Sequence, residues 1–160
     1  MTLKQPVLFV TLLAGAVVPL AAALTPLSDI PVVSIATRPA HAASPLAPSL
    51  QGKPVFVEIY ASWCSACQTI KPVVKTLRLK EGNAVHWVRF DVSNPSAAQQ
   101  SSARAKQLGL TEFFRKHRTQ TSLVSIFNPE TGVAVSTLRA QPELDPYLQA
   151  INTTRSMIRR

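Results

Sequence analysis

The sequence predicts an α/β domain, a mixed central β-sheet of about four strands flanked by helices on both faces. Three observations lead there. Short runs of β-branched and aromatic residues (54–60, 85–92, 122–127 and 133–139) alternate with longer segments whose apolar residues recur three and four apart. The first two runs are joined by one of those helical segments, and a strand–helix–strand unit within one sheet is a parallel, right-handed crossover. The last two are separated by Asn128-Pro129-Glu130-Thr131-Gly132, whose composition makes a turn and the pair an antiparallel hairpin.

In chain order, residues 1–42 read as a signal peptide. Lys4 supplies a positive start, residues 7–24 carry no charge, and Ala40-His41-Ala42 has the small-x-small pattern of a cleavage site. The apolar run reaches the lower end of the ~17–25 residues that span a bilayer, so an uncleaved membrane anchor is the alternative. The chain is therefore expected to be exported, to a periplasm or a thylakoid lumen, soluble or tethered. Residues 43–52, rich in Ala, Ser, Pro and Gly, read as an extended, mobile linker. The folded domain is expected over 53–155, with a basic tail at 156–160.

Within the domain, 54–60 is a buried central strand with one misplaced acid, Glu58. A helix follows from 64 to 79 with Ile70, Val73, Val74 and Leu77 on one face and a kink expected at Pro72. Glu81-Gly82-Asn83 ends it. After the strand at 85–92, Ser93-Asn94-Pro95 starts a second helix with Pro at its first position. Residues 96–118 are mainly helical, broken at Gly109, and 142–157 forms the last helix. No internal repeat is visible.

The formal net charge is +9. The basic residues are scattered rather than concentrated, and no stacking motif or zinc-finger spacing accompanies them. Nucleic acid is not an expected partner. A basic surface suits an acidic protein or an anionic membrane surface instead.

The chain has two cysteines, three apart: Cys64 and Cys67. A bridge across two residues closes too small a loop to stabilise the fold much. In an exported protein the pair is read as chemistry. Cys64 falls at the start of a helix, where unpaired N–H groups and the helix dipole favour a thiolate, and the thiolate is the nucleophile. Cys67, one turn on, is placed to attack the mixed disulfide that Cys64 forms. Zinc is the competing reading, but a structural site takes four ligands and the chain offers these two thiols and three histidines, of which His117 can approach the pair although nothing in the spacing requires it. CxxC beside a strand–helix–strand pattern favours redox.

The run Val55-Phe56-Val57-Glu58-Ile59-Tyr60-Ala61-Ser62-Trp63-Cys64-Ser65-Ala66-Cys67 resembles the strand and active-site turn of the thioredoxin family. Trp63 matches the Trp before the first cysteine, and Pro72 the proline that kinks the active-site helix. The resemblance covers about residues 52–155 and is closest to exported or membrane-tethered members, including thylakoid thioredoxin-like proteins with Val-Glu-Phe-Tyr-Ala before the motif. It implies a thioredoxin-like fold and a thiol–disulfide oxidoreductase, a reductase of exported proteins. Its partners would be protein thiol or disulfide substrates and an upstream electron donor. No cofactor or metal is expected beyond the redox-active disulfide, and the protein is expected to be a monomer. Glu58 takes the place of the family's buried acid, which implies a proton relay to Cys67; pairing with Arg89 in the next strand is the plainer role. Trp63 is expected to shield the site or simply to pack.

Two departures stand out. The family's cis-proline position falls on Ser122, in Gln120-Thr121-Ser122-Leu123. A cis bond without proline costs several kcal/mol, so a trans peptide and a different loop are expected. In the family this loop binds the substrate chain, which makes Thr121 and Ser122 candidate substrate-binding residues. The insertion at 111–119 either reshapes the groove, offers a basic surface, or is a longer helix with Phe113 and Phe114 in the core, which is favoured. Two further functions stay open: a metal-binding or metal-delivering protein using the same two thiols, and a non-catalytic interaction module.

Overall fold

The computed structural model describes residues 44–158. The leader and its alternative, the anchor, lie outside the described residues. Eight main elements follow one another: β1 (Val55–Tyr60), α1 (Ser65–Glu81), β2 (His86–Asp91), α2 (Pro95–Leu108), α3 (Thr111–His117), β3 (Leu123–Asn128), β4 (Val133–Arg139) and α4 (Asp145–Ile158). Short 3-10 turns occupy Pro48–Leu50 and Gly82–Ala84.

The sheet order is β2-β1-β3-β4. β1 and β2 are parallel, while β1 with β3 and β3 with β4 are antiparallel. The crossover and the hairpin are therefore as expected. β1 and β3 are buried along nearly their whole length because helices cover both faces of the sheet's centre, whereas edge strand β4 is half exposed. Side chains alternate across β1. Val55, Val57 and Ile59 pack with Val88, Phe90, Ala105 and Phe114 on the face covered by α2 and α3. Phe56 points the other way, with Ile70, Val74, Leu77, Tyr147 and Ile151 of α1 and α4. Phe114 is in the core and Phe113 is partly buried against it.

Local chemistry sets the ends of the helices. Asn94 Oδ1 accepts from Ala97 N at 2.9 Å and Pro95 opens α2, while Gly109 closes it in the left-handed conformation (φ 77°). α1 runs through Pro72 to Glu81, two residues beyond the expected end.

Residues 44–52 differ from the linker expected over 43–52. Leu46 and Leu50 are buried against the α2/α3 side of the core. Leu46 N donates to Pro129 O at 2.8 Å and Ala47 N to Leu108 O at 3.1 Å, and the Gln51 side-chain amide bridges Leu46 O and Pro129 O. Burying a leucine stabilises by about 1.5–3 kcal/mol, which outweighs a polar composition around it. At the other end, the basic tail drawn at 156–160 begins inside α4, which continues to Ile158.

Candidate active site

β1 ends at Tyr60, and the chain turns through Ala61-Ser62-Trp63 into α1. Cys64 is the N-cap of that helix, and its Sγ accepts the Cys67 backbone N–H at 3.0 Å. Both thiols are free and buried, packed with Ala61, Tyr60, Ala66 and Val92. The two are electrostatically unequal. Burial pushes the Cys64 thiol up, but hydrogen bonds from the Cys67 and Thr121 side chains and from the backbone of Cys67 and Ala66 together hold it below its ordinary value of 9.0. Burial, followed by the hydrogen bond to Cys64, pushes Cys67 up to about 11 against opposing bonds from the backbone of Ala61 and Ser122. Cys64 is thus the more acidic thiol.

Beside the cysteines lies a groove of about 450 Å³. Trp63, Cys64, Ser65 and Ala66 form one wall, and Thr121, Ser122, Arg139 and Ala140 the other. The expected residues Cys64, Trp63, Thr121 and Ser122 therefore meet at one place, with Cys67 buried next to Cys64. Among the described residues no peptide bond is cis, so the 121–122 loop is built differently from one with a cis-proline. Ser122 is buried with φ 63°, its N–H donating to Ile59 O at 2.9 Å and its carbonyl accepting from Ala140 N at 3.1 Å.

Trp63 is 67% exposed, yet it is held: its Nε1 donates to Ser93 O at 3.0 Å. Ser93 Oγ accepts from Ser62 N at 2.8 Å, and its own N–H and hydroxyl both donate to Asp91 Oδ1. Ser93 thereby ties the active-site turn to the end of β2. Sequence reasoning placed Ser93 only at a helix start and passed over Arg139 and Ala140. No local signal marks them, since each meets the site across a long stretch of chain.

Glu58 does not line the groove. It is 2% exposed in β1, on the sheet face toward α1, and its Oε2 accepts from Arg89 Nε at 2.8 Å. The strand register sets Glu58 opposite Arg89, and the Arg89 guanidinium also lies over the Tyr60 ring, 4.7 Å from its centre. The expected pairing with Arg89 is therefore present. His117 Nδ1 is 3.2 Å from Gln120 Oε1, and its ring packs near Phe113. Among the described residues no three His, Cys, Asp or Glu side chains gather to hold a metal ion, so a metal on the two thiols would need ligands from outside these residues.

Parallel crossover, antiparallel hairpin and paired thiols at a helix start define a thioredoxin-like domain with a CxxC motif. The family model described as Thioredoxin matches residues 44–116. It is 39% identical over 56 residues to a thiol:disulfide interchange protein TxlA homolog of Synechocystis sp., covering 34% of this chain and 31% of that protein. It is 32% identical over 50 residues to a thioredoxin of Mycolicibacterium smegmatis, covering 29% of this chain and 45% of that one. The chain thus spans less than half the length of these curated relatives. Solved structures similar to it include Fasciola hepatica thioredoxin (18% identity, TM-score 0.45, 66% of this chain and 85% of that one) and MTB DsbF (21% identity, TM-score 0.45, 66% and 84%).

Proposed function

We propose that this protein is a thiol–disulfide oxidoreductase that uses its Cys64–Cys67 pair to reduce disulfides of exported proteins. The observation that carries the reading is the unequal pair: a Cys64 thiol lowered by hydrogen bonds and a Cys67 thiol raised to about 11, side by side at the wall of a groove.

The Cys64 thiolate attacks one sulfur of a substrate disulfide. A Cys64–substrate bond forms as the substrate S–S bond breaks, and the departing sulfur is protonated. Cys67 then loses its proton and attacks Cys64 Sγ. The Cys64–Cys67 disulfide forms, and the second substrate sulfur leaves as a thiol after taking up a proton. Two electrons pass to the substrate, and an upstream dithiol donor returns them. Thr121 and Ser122 form the wall against which the substrate chain lies, opposite Trp63. Glu58, buried in the strand that leads into the turn, is the group assigned to proton handling at Cys67.

The reducing direction rests on what lowers Cys64. The causes are hydrogen bonds, with no lysine, arginine or histidine among them. Strong oxidants are strong because their thiolate form is heavily stabilised, and here no positively charged side chain is among the groups that lower Cys64. Equilibration of the Cys64–Cys67 disulfide against a thiol redox series tests both parts. A two-electron midpoint more negative than about −200 mV supports a reductase, and one near −120 mV overturns the direction. Absence of a reversible disulfide overturns the activity. Residues 1–42 serve as leader or anchor in this reading, and the mass of the protein recovered from its host distinguishes the two.

A further inference from the structure

The groove beside Cys64 contains one charged side chain among the residues that line it, Arg139. We propose that Arg139 selects substrates that carry an Asp or Glu within a few residues of the disulfide, so that the partner of the groove is an extended acidic protein segment. The inference rests on Cys64 being the attacking thiol and names the substrate class of that same site.

Four observations support it. Arg139 is exposed, and among the described residues it has no ion-pair or hydrogen-bond partner for its guanidinium, whereas Arg89, Arg115 and Arg155 each hold a carboxylate. Its backbone, by contrast, is fixed. It is the last residue of β4, in register with Leu123, and the next residue is bonded to the Ser122 carbonyl. The residue is therefore anchored at the groove's wall through its backbone while its guanidinium donors stay available. Arg139 is also absent from the interactions that lower the Cys64 thiol, so its charge is not needed to form the nucleophile. Finally, no acidic side chain lines the groove, so an incoming carboxylate meets a guanidinium and no repelling charge.

A guanidinium offers a carboxylate two parallel hydrogen bonds, which select geometry as well as charge. The pair forms at an exposed rim, so its effect is modest, of the order of a fivefold preference that weakens with salt. The overall positive charge of the chain attracts acidic partners from any direction. Arg139 would add discrimination at the reacting bond itself.

The test uses the reduced protein in single turnover against three peptides with the same cystine and flanking residues that are acidic, amide or lysine. Each turnover converts the peptide disulfide to two thiols and the Cys64–Cys67 dithiol to a disulfide. The expected order of second-order rates is acidic, then amide, then lysine, about fivefold from the first to the second at low salt. Arg139→Glu should reverse the order of the acidic and lysine peptides, and Arg139→Gln should shrink the preference to what the chain's overall charge alone supports. Lys80→Glu makes the same change of net charge at the far end of α1 and should leave the order intact. If Lys80→Glu erases the preference as fully as Arg139→Glu, or if neither Arg139 variant changes it, the preference belongs to the general field and the inference is overturned. If the wild-type protein reduces none of the three peptides, the oxidoreductase reading fails and takes this one with it.

Discussion

Ala140 donates its backbone N–H to the Ser122 carbonyl at 3.1 Å, and both residues hold left-handed backbone, with φ of 50° and 63°. Neither is glycine, and an L-residue in this region is strained by about 1–2 kcal/mol. The two strained positions sit side by side on the wall that faces Cys64. Strain of this kind persists where the surrounding contacts over-determine it. Here those contacts are the Ser122 N–H bond to Ile59 and the strand pairing of Leu123 with Arg139.

That strain is open to direct measurement. Ala140→Gly is expected to raise the unfolding free energy by about 0.5–1 kcal/mol in urea titration, because glycine adopts positive φ freely. Ser122→Pro is expected to cost about 3 kcal/mol, since proline locks φ near −65° and has no N–H for Ile59 O. A neutral or stabilising Ser122→Pro would show that this loop does not hold its left-handed form.

The pH dependence of alkylation separates the two thiols. With Cys64 lowered and Cys67 raised to about 11, Cys64 should be labelled first at neutral pH, with a half-maximal rate below pH 9.0, and Cys67 only in strong alkali. Cys64→Ser should bring the Cys67 midpoint down from about 11, because the charge and the thiol hydrogen bond of Cys64 are two of the influences raising it. Burial, the largest influence, remains, opposed by the backbone hydrogen bonds of Ala61 and Ser122. Equal labelling of both thiols at pH 7 would contradict the assignment of roles.

Stability at alkaline pH should depend on the redox state. Cys67 titrates at about 11 in the folded protein against 9.0 unfolded, so the fold favours the protonated thiol. Between those values the folded state binds more protons than the unfolded one, and reduced protein loses stability as pH rises from about 9 to about 11. Cys64 has the opposite sign: its folded value lies lower, so its contribution grows as pH rises toward 9.0. Tyr147, raised from 10.0 to about 12 by burial and then by Glu58, weakens both redox forms between pH 10 and 12. The disulfide form has neither thiol. Denaturant midpoints of reduced and oxidised protein should therefore move apart between pH 9 and 11, the reduced form falling faster, and parallel curves would argue against the raised Cys67.

Glu58 and Arg89 should respond unequally to substitution. Arg89→Ala leaves a carboxylate that is 2% exposed without its partner, and an uncompensated buried charge costs several kcal/mol. The Arg89 side chain is 43% exposed, so some solvent already reaches the pair, and a cost of about 2–3 kcal/mol at pH 7 is expected. Glu58→Gln should cost less, because Arg89 can turn to water. If Glu58 handles the Cys67 proton, Glu58→Gln will also slow the decay of the Cys64 mixed disulfide more than its formation. If both steps slow equally, its role is confined to pairing with Arg89.

Much of this fold could be read in the chain because its signals are local. Alternating apolar residues mark β1, the Asn94-Pro95 start and Gly109 stop bound α2, and the Asn128 to Gly132 turn makes the hairpin. The opposition of Glu58 to Arg89 followed from two strands in parallel register. Composition misled at 43–52, where two leucines among small and polar residues read as a linker. Whether Leu46 and Leu50 are buried depends on an open side of the core that only the assembled helices create.

The residues along the chain determine the identity of the chemistry: two cysteines one helical turn apart, at a helix start, after a buried strand. That constellation is complete within a few neighbouring residues, so no distant contact was needed to recognise it. The tertiary structure decided what faces those cysteines. It brought Ser93 under Trp63 across 30 residues, set Ser122 against Ala140, and placed Arg139 at the groove. Such contacts depend on how the ends of β2, β3 and β4 lie at the same end of the sheet, a property of the packed strands that no local pattern encodes.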